Sequence, residues 1–428
     1  MLDRRFVREN LDAVRAATAR RHIEIDFDKI AELDRDLLRL QQEREETKAE
    51  QRRLAKAMPQ LPNDEKPAAG ARAKELKQAI KPLEEEIAKK EAEFAPLFLE
   101  IPNLADPDVP DGTEAEDNKE VRRWGEPPKF DFEIRDHLDL GTELGLIDVK
   151  RAVQLAGART YLLRGDLMLL ELAVLRFALD KIRERGFLPM SPPVLVRESA
   201  MEGTGYLPVG ADQAYQCTRD DGWLIGTSEV PITALHAGER LAGEDLPIRY
   251  AGYSNCFRRE AGTSGKDTRG IYRVHQFAKV EQVVIARSDV EESKSLHEEI
   301  LQNALDVLQD LKLPYRVVAL CGGDLGRSAT FTYDVETWMP GRNAYGETHS
   351  ASRYYDYQAR RLNLRYRDAD QKPVLCHTLN NTVIASPRIL VALMENYQRA
   401  DGSIAVPECL VPILGKEVLD PAPSATVR

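Results

Sequence analysis

The chain has 428 residues, of which 43% are hydrophobic, and its formal net charge at pH 7 is −11. This length exceeds the size at which a single hydrophobic core keeps growing, so we expect two domains. No apolar run approaches the ~18 residues that a membrane-spanning helix needs, and the charged opening MLDRRFVREN is unlike a secretory signal, so we expect a soluble cytoplasmic protein.

The cysteines are few and scattered along the chain. None stands in a C-x-x-C pair, which argues against a disulfide framework and against a structural zinc site; they are Cys217, Cys256, Cys321, Cys376 and Cys409. We therefore expect reduced thiols and no structural zinc. The negative net charge does not exclude a nucleic-acid partner, because attraction to phosphate depends on where basic residues cluster.

A long helical hairpin is predicted near the N-terminus. Residues 27–58 lack glycine and proline, and their apolar residues follow a heptad seam: Ile30, Leu33, Leu37 and Leu40. PQLPND interrupts the pattern, and a second seam then runs through Leu76, Ile80, Leu83, Ile87, Phe94 and Leu97. The two helices, each ~45 Å long at 1.5 Å per residue, can pack antiparallel. Pro82 should kink the second helix locally.

The domain boundaries follow from this hairpin. We expect an N-terminal domain over residues 1–104 with a coiled-coil arm at about 27–97, a linker rich in proline and acid over 105–135, and a second domain over 136–428. Strand-like runs in the second domain are not followed one by one by crossover helices. This predicts an α+β fold with a mainly antiparallel sheet flanked by helices. The sequence has neither a P-loop nor a Rossmann motif.

The first candidate motif is CFRREAGTSGKDTRGIYRVHQFAKVE. It predicts a hairpin in which a strand ends at Arg258, Arg259 and Glu260 and a glycine-rich loop leads into the next strand. A guanidinium at the end of a rigid strand can bind a phosphate or a carboxylate through two hydrogen bonds. Taken alone, FRRE is better explained as an exposed hairpin with solvated charges.

The second candidate motif is ASPRILVALMENYQ. Ser386 can cap a helix, Pro387 suits the first helical position, and Arg388 falls in the first turn, where phosphate oxygens would also meet the positive helix end. Taken alone, the segment is better explained as an ordinary helix start.

The third candidate motif is NAYGETHSASRYYDYQARRLNLRYR. Glu347 and Ser350 could supply hard oxygen ligands to a magnesium ion that bridges two phosphates. Taken alone, these two residues are explained equally well as polar side chains that face solvent.

In this order, the segments resemble the seryl-tRNA synthetases, class II enzymes built on an antiparallel sheet. The resemblance covers nearly the whole chain and includes the helical hairpin together with DHLDLGTELGLID, MEGTGYLP, TSEVPIT, FRREAG, RVHQFAKVE, YDVETWMPG, YDYQARRLNLRYR and MENYQRADGSIAVPE. A correctly ordered series over hundreds of residues is far more specific than any one of its members.

The resemblance implies a serine site and an ATP site. Residues implied to contact serine are Thr227, Ser228, Glu229, Arg258, Glu281, Asn380 and Thr382, with Glu281 selecting the hydroxyl. Residues implied to contact ATP are Arg258, Arg259, Glu260, Val274, Glu347, Thr348, His349, Ser350 and Arg388. Of these, Arg258, Glu347 and Arg388 would be catalytic, and Glu347 and Ser350 would bind Mg²⁺ through the ATP phosphates.

The sequence departs from the family pattern in two places. His349 stands where the family more often has a small residue such as serine, and LNNTVIASPR replaces the Asn-Gly-Ser of many bacterial members. Asn380 and Thr382 resemble the eukaryotic-type variant more closely. Both sites retain groups able to bind serine, so we interpret the differences as variation within an active family.

The implied reaction has two steps. The serine carboxylate attacks the α-phosphorus of ATP, pyrophosphate leaves, and the 3′-terminal ribose of tRNA(Ser) then takes the seryl group. Catalysis would rest on positioning and electrostatic stabilisation. The resemblance also implies a homodimer whose arm reaches the tRNA on the other subunit, and it leaves open whether tRNA(Sec) is charged as well.

Basic residues toward the tip of the hairpin could follow an RNA backbone; they are Lys48, Arg52, Arg53, Lys56, Arg72, Lys74, Lys77 and Lys81. A solvated coiled coil explains any one of them equally well. Two other functions remain open: a ligase that charges a carrier protein, which the hairpin disfavours, and a non-catalytic RNA-binding paralogue, which Arg258, Glu281, Glu347 and Arg388 disfavour.

Overall fold

The computed structural model describes residues 1–262 and 269–422. Its described residues form two compact units. The helical unit comprises residues 2–19 and 23–102, and the sheet unit comprises Met1, Arg20–His22 and the described residues from Asn103 onward. The chain therefore leaves the sheet unit after His22 and returns to it at Asn103.

The helical unit is built around a long antiparallel helix pair. Its helices are α1 (Arg4–Glu9), α2 (Leu11–Ala19), α3 (Phe27–Ala57) and α4 (Lys66–Leu99). Ion pairs join α3 to α4 with opposite chain directions: Asp36–Lys90 and Lys48–Glu84, both 2.7 Å long. The predicted hairpin is confirmed, and α4 runs through Pro82 without ending there.

The hairpin is held together by the first predicted seam, whose residues are all at least 97% buried: Ile30, Leu33, Leu37 and Leu40. In the second seam, Leu76, Ile80, Ile87 and Phe94 are buried, but Leu83 and Leu97 are only half-buried. Phe98 takes the buried place near the end of α4 and stacks on Phe94 at 5.1 Å. The second seam is thus less regular than its spacing indicated.

The sheet unit mixes helices and strands. Its helices are α5 (His137–Glu143), α6 (Val149–Ala156), α7 (Gly165–Glu184), α8 (Glu198–Thr204), α9 (Glu229–Ala234), α10 (Val290–Asp310), α11 (Tyr357–Leu362), α12 (Arg388–Asn396) and α13 (Val411–Leu414). Its strands are β1 (Lys119–Trp124), β2 (Leu188–Met190), β3 (Leu195–Val196), β4 (Tyr215–Cys217), β5 (Gly222–Leu224), β6 (Arg240–Ala242), β7 (Ile248–Phe257), β8 (Gln276–Ala286), β9 (Tyr315–Ala319), β10 (Phe331–Met339), β11 (Ala344–Tyr355), β12 (Arg365–Arg367), β13 (Pro373–Leu375) and β14 (His377–Ala385).

The central sheet has the strand order β1-β9-β10-β11-β14-β8-β7-β2. Neighbouring strands are antiparallel except β7 and β2, which are parallel. This confirms the prediction of an α+β fold with a mainly antiparallel sheet. Two smaller sheets, β13-β12-β6 and β3-β5-β4, lie outside it.

The segment predicted as a linker contributes to this sheet, which corrects its assignment. β1 pairs with β9, and the Asp106 amide donates a hydrogen bond of 2.9 Å to the Thr330 carbonyl. Proline and acidic residues indicate irregular backbone, but they do not show whether that backbone pairs with distant strands. Residues 105–135 therefore belong to the sheet unit.

The middle strands separate a hydrophobic core from a polar face. On β8, Ala278, Val280 and Val284 pack into one core cluster with buried residues of α7, α10 and α12. The alternate residues Lys279 and Glu281 project to the opposite face, because side chains alternate along a strand. The core on one face thus fixes where the polar residues of the other face lie.

The predicted hairpin of the first motif is formed by β7 and β8, which pair antiparallel from Ile248 to Phe257. β7 ends at Phe257, so Arg258 lies just after the strand instead of ending it. The predicted glycine-rich loop falls largely on residues 263–268, which lie outside the described residues.

A matched pair of leucines tests the hairpin packing. Leu37 is fully buried in the seam, whereas its neighbour Leu38 is 37% exposed. Leu37→Ala should weaken the hairpin by about 2–5 kcal/mol because it leaves a cavity, and Leu38→Ala should change it by less than ~0.5 kcal/mol. Native-state hydrogen exchange of the α3 amides in the intact chain measures this difference. Equal protection in the two variants would contradict the assigned seam.

Candidate functional site

A cavity of about 620 Å³ opens on the polar face of the central sheet. Its lining includes alternate residues of three adjacent strands, such as Lys279 and Glu281 of β8, Asn380 and Thr382 of β14, and Ser352 of β11. The sheet thus forms one wall of the cavity.

Most of the residues named from the sequence line this one cavity: Thr227, Glu229, Arg258, Glu260, Val274, Glu281, Glu347, Thr348, His349, Ser350, Asn380, Thr382 and Arg388. Two do not. Ser228 is fully buried, with its hydroxyl 3.4 Å from the Gly252 carbonyl. Arg259 is exposed and donates a 3.3 Å hydrogen bond to the Asp212 carbonyl.

A buried group of charges, here called the carboxylate cluster, consists of Glu229, Lys279 and Glu281. The Lys279 ammonium contacts the Glu281 carboxylate and donates a 2.8 Å hydrogen bond to the Thr227 hydroxyl. Thr382 lies opposite Glu281 on β14 and donates a 3.3 Å hydrogen bond to it. Glu281 therefore has a charged partner although only 2% of its surface is exposed.

Glu229 is held by two neutral donors. Gln358 on α11 donates to one carboxylate oxygen at 2.7 Å, and the Tyr206 hydroxyl donates to the other at 2.9 Å. Burial raises the pKa of Glu229, and the negative charge of Glu281 raises it further, although the two hydrogen bonds oppose this shift. Burial and the neighbouring Glu229 also raise the pKa of Tyr206, which keeps its phenol as a donor.

A second group, here called the arginine cluster, consists of Arg258, Glu347 and Arg388. Arg388 pairs with the Glu347 carboxylate at 3.0 Å, and its guanidinium lies 4.7 Å from the centroid of the Tyr272 ring. Desolvation opposes ionisation of Glu347, but the charges of Arg388 and Arg258 outweigh it and lower the pKa of that carboxyl. Glu347 in turn raises the pKa of Arg388 against the effect of desolvation.

Arg258, a member of the arginine cluster, lines the same cavity as the two carboxylates of the carboxylate cluster. Its guanidinium is 5.2 Å from the centroid of the Phe277 ring and 3.4 Å from the Gly226 carbonyl, which orient it. Its positive charge acts to lower the pKa of both Tyr206, which donates to Glu229, and Glu347. An anionic group bound by Arg258 would therefore be close to both clusters.

The start of α12 differs from its prediction. Pro387 is the N-cap residue, Arg388 is the first helical residue, and the Ser386 hydroxyl does not cap the helix. Ser386 instead donates a hydrogen bond to Glu171 on α7. The sequence could not reveal this, because the partner lies on a helix far away in the chain.

A bulge in β11 shapes the wall near Glu347. Val335 of β10 pairs with His349, but Glu336 pairs with Glu347, so Thr348 is the extra residue. Bulges commonly redirect side chains beside functional sites. Here the bulge lies between Glu347 and Ser350, the two predicted metal ligands.

His349 is buried and bonded through both ring nitrogens. Nε2 lies 2.9 Å from the Val383 carbonyl, so Nε2 carries the proton, and Nδ1 accepts a hydrogen bond of 2.8 Å from Thr348. Burial lowers the pKa of His349 to about 4, so the ring is neutral near pH 7. The histidine thus joins β11 to β14, and its contact with ATP stays a prediction.

Sequence reasoning missed several residues of the cavity. Phe277 and Lys279 alternate with the predicted Glu281, so the period of two along QFAKVE could have identified them. Tyr206 stands in the quoted MEGTGYLP segment without an assigned role. Gln358 carries no signal of its own, because its importance arises from a contact with a residue 129 positions away.

Two kinds of feature are absent from the described residues. In the parts of the chain that the structure describes, no three or more His, Cys, Asp or Glu side chains cluster in a way that could hold a metal ion. Within the same residues, no helix is long and apolar enough to cross a membrane.

Two family models match the chain. Residues 1–105 match the seryl-tRNA synthetase N-terminal domain, and residues 215–397 match the tRNA synthetase class II core domain (G, H, P, S and T). The serine–tRNA ligase of Deinococcus radiodurans is 46% identical over 420 residues, which cover 98% of this chain and 99% of that protein.

Solved structures give the same result. The seryl-tRNA synthetase of Pyrococcus horikoshii complexed with ATP is 38% identical, has a TM-score of 0.91, and is matched over 99% of this chain and 100% of that chain. The cytoplasmic enzyme of Naegleria fowleri in complex with AMP is 32% identical with a TM-score of 0.84, over 98% and 99% of the two chains. The expected family is thereby confirmed: the chain belongs to the seryl-tRNA synthetases, and its activity is that of a serine–tRNA ligase.

Proposed function

We propose that the described cavity forms seryl-adenylate from serine and ATP, and that the carboxylate and arginine clusters divide the two substrates between them. The observation that carries this proposal is that Arg258, a member of the arginine cluster, lines the same cavity as Glu229 and Glu281 of the carboxylate cluster. A guanidinium there can bind the serine carboxylate and the α-phosphate together, which are the groups that react. Holding them side by side lowers the barrier by positioning.

The carboxylate cluster is suited to the amino and hydroxyl groups of serine. Glu281 is buried and accepts a hydrogen bond from Thr382, and Thr227 and Asn380 add polar groups to the same cavity. Glu229 and Glu281 together face a single cation, Lys279, and the ammonium of serine would balance the second carboxylate. Ser228 would act only through its backbone, because its side chain faces Gly252.

The arginine cluster is suited to the phosphates. Arg258 would stabilise the charge that develops at the α-phosphate when the serine carboxylate attacks, and Arg388 would bind the γ-phosphate of a bent ATP. Glu260, held by Arg273 at 2.7 Å, and Val274 would lie against the nucleotide. Arg259 would join them from the surface, where it is exposed.

Glu347 and Ser350 would hold Mg²⁺ through the ATP phosphates. The fit is supported by Asp334, which lies opposite Ser350: its Oδ1 is buried without a hydrogen-bond partner, and burial together with the charge of Glu347 raises its pKa. A cation bound there would give Oδ1 of Asp334 a partner and would oppose the rise in the pKa of this carboxyl. When bound, Mg²⁺ neutralises charge on phosphate oxygens. This assignment is tested by titrating Mg²⁺ into serine-dependent ATP–pyrophosphate exchange with the wild type and with Glu347→Gln.

Serine-dependent ATP–pyrophosphate exchange tests the adenylation proposal. Glu281→Ala should raise the KM for serine at least tenfold and leave the KM for ATP within about twofold, because a site built to bind a hydroxyl loses most when its acceptor is removed. Threonine, alanine and cysteine should support exchange poorly in the wild type.

Glu281→Ala also deprives the buried Lys279 of its carboxylate, so Glu281→Gln, which preserves packing, is the second variant. The matched control is Glu244→Ala on the exposed surface. Equal losses for serine and ATP would contradict the assignment of Glu281, and exchange that does not need serine would contradict the proposed function itself.

The hairpin would bind tRNA(Ser). Five basic residues toward its tip have no ion pair within 4.0 Å in the described part of the chain: Arg52, Arg53, Lys56, Lys74 and Lys77. Lys48, Arg72 and Lys81 pair with glutamates instead. Unpaired surface cations can contact phosphates without first breaking an ion pair. Charging of tRNA(Sec) stays open, and a cytoplasmic location stays a prediction.

Replacing residues 27–97 by a short linker should preserve exchange but nearly abolish transfer of serine to tRNA. Every residue that lines the cavity belongs to the sheet unit, whereas the deleted helices form the core of the helical unit. Transfer should also become less sensitive to salt, because fewer phosphate contacts release fewer counterions. Efficient charging by the shortened enzyme with an unchanged salt slope would assign the hairpin to another partner.

A homodimer is supported by α7. One side of this helix is buried in the core through Leu170 and Val174, yet Met168, Leu169 and Leu172 on the other side are each more than 40% exposed. A helix that is apolar on all sides is usually buried by a neighbour. A second copy, packed about a two-fold axis, would cover this face.

Leu172→Glu should convert the dimer to a monomer, because it places a charge in the proposed interface. Val290→Glu, at another residue with 46% exposure, is the matched control and should stay dimeric. Sedimentation velocity measures both. A monomeric wild type, or a dimer that resists Leu172→Glu, would contradict the proposed interface.

A further inference from the structure

Arg21 is an unusual buried cation. Only 2% of its surface is exposed, and its guanidinium binds backbone carbonyls instead of a carboxylate. One terminal nitrogen donates to the carbonyls of Asn103 (2.5 Å), Arg327 (3.2 Å) and Ala329 (3.4 Å); the other donates to those of Leu325 (2.8 Å) and Gly326 (2.6 Å). Burial lowers the pKa of Arg21 to about 10, so it remains charged at neutral pH.

Asn103 completes this arrangement. Its side-chain amide donates to the Ser328 carbonyl at 2.9 Å and to the Tyr354 carbonyl at 2.8 Å. Together, Arg21 and Asn103 therefore bind the carbonyls of five consecutive residues, 325–329, which we call the carbonyl loop. Backbone amides also bind part of this loop, since Asn103 donates to the Arg327 carbonyl at 2.8 Å and Ala329 donates to the Gly326 carbonyl at 3.0 Å. The side chains of Arg21 and Asn103 bind the carbonyls of Leu325, Ser328 and Ala329.

The carbonyl loop lines the cavity through Gly326, Arg327, Ser328 and Ala329. It contacts two neighbours of the serine-site residues. Ser328 packs so closely on Gly205 that a Cβ there would lie 3.0 Å from it, and the next residue, Tyr206, donates to Glu229. Through Asn103, the loop is also tied to Tyr354, whose hydroxyl accepts a 2.9 Å hydrogen bond from Asn380.

Burying the Arg21 guanidinium costs free energy, so its hydrogen bonds must compensate for that cost. A buried charge without an ionic partner is unfavourable unless several hydrogen bonds compensate for lost water. The planar fork of arginine can serve several acceptors at once, whereas lysine is a point charge with three donors. Methionine would remove the hydrogen bonds that Arg21 donates to the carbonyls of Asn103, Leu325 and Ala329. The site therefore requires the geometry of a guanidinium as well as its charge.

We propose that Arg21 is a positioning residue for serine recognition: it holds the carbonyl loop as the wall of the cavity beside Tyr206 and Tyr354. Arg21 does not line the cavity and acts through the loop. The inference rests on the proposed assignment of serine to the carboxylate cluster. It adds a residue near the N-terminus, before the hairpin, to the determinants of the serine site.

Pyrophosphate exchange with Arg21→Met, Arg21→Lys and the control Arg20→Met tests the proposal in the full-length protein. Arg20 is the neighbouring arginine, paired at the surface with Asp111. Arg21→Met should raise the KM for serine at least tenfold with the KM for ATP within about twofold, Arg21→Lys should give an intermediate value, and Arg20→Met should match the wild type. Thermal unfolding of each variant shows whether it is folded.

The outcomes are distinct. Equal changes in both KM values, or wild-type kinetics in Arg21→Met, would overturn the positioning role. If Arg21→Met does not fold, Arg21→Lys decides between the same outcomes. Hydrogen exchange of the peptide spanning residues 325–330 provides a readout that needs no substrate: faster exchange in Arg21→Lys than in Arg20→Met is expected, and unchanged exchange overturns the proposal. A wild type without serine-dependent exchange would instead contradict the proposed function.

Discussion

The alternation of side chains along the middle strands is the constraint on which the site depends. On β8, one set of residues is locked into the hydrophobic core against α7, α10 and α12, so the other set has no freedom to rotate away from the cavity. Lys279 and Glu281 thereby keep their positions, and Asn380 and Thr382 keep theirs on β14. A polar site this precise needs a rigid scaffold, which the packed face of the sheet provides.

Electrostatics divide the cavity that the sheet creates. A buried charge needs an ionic partner or several hydrogen bonds. The carboxylate cluster has one cation for two carboxyl groups, whereas the arginine cluster has more cations than carboxylates. The excess of carboxyl groups in the carboxylate cluster suits the ammonium group of serine. The excess of cations in the arginine cluster suits the phosphates of ATP. The charge of Arg258 acts on Tyr206 beside the carboxylate cluster and on Glu347 in the arginine cluster. In the proposed reaction, the same guanidinium would bind both the serine carboxylate and the α-phosphate.

Local patterns predicted the parts of the molecule that depend on local sequence. The heptad spacing identified the buried residues Ile30, Leu33, Leu37 and Leu40. The ordered motifs identified Arg258, Glu347 and Arg388, which line one cavity in the structure. Composition failed for residues 105–135, because pairing of β1 with β9 joins segments nearly 200 positions apart. The hydrogen bonds of Ser386 with Glu171 and of Gln358 with Glu229 could not be predicted for the same reason. Each pair is distant in the sequence and is brought together only by the fold.

Arg21 and Asn103 form another such pair within the sheet unit. They precede and follow residues 23–102 in the sequence, they meet through a hydrogen bond of 2.5 Å, and both bind the carbonyl loop. A disordered excursion of that length would impose an entropic cost on their meeting. The chain between them is instead ordered, since α3 and α4 pair antiparallel within the helical unit. The contact joins residues 82 positions apart, so it depends on the fold and could not be predicted from local sequence.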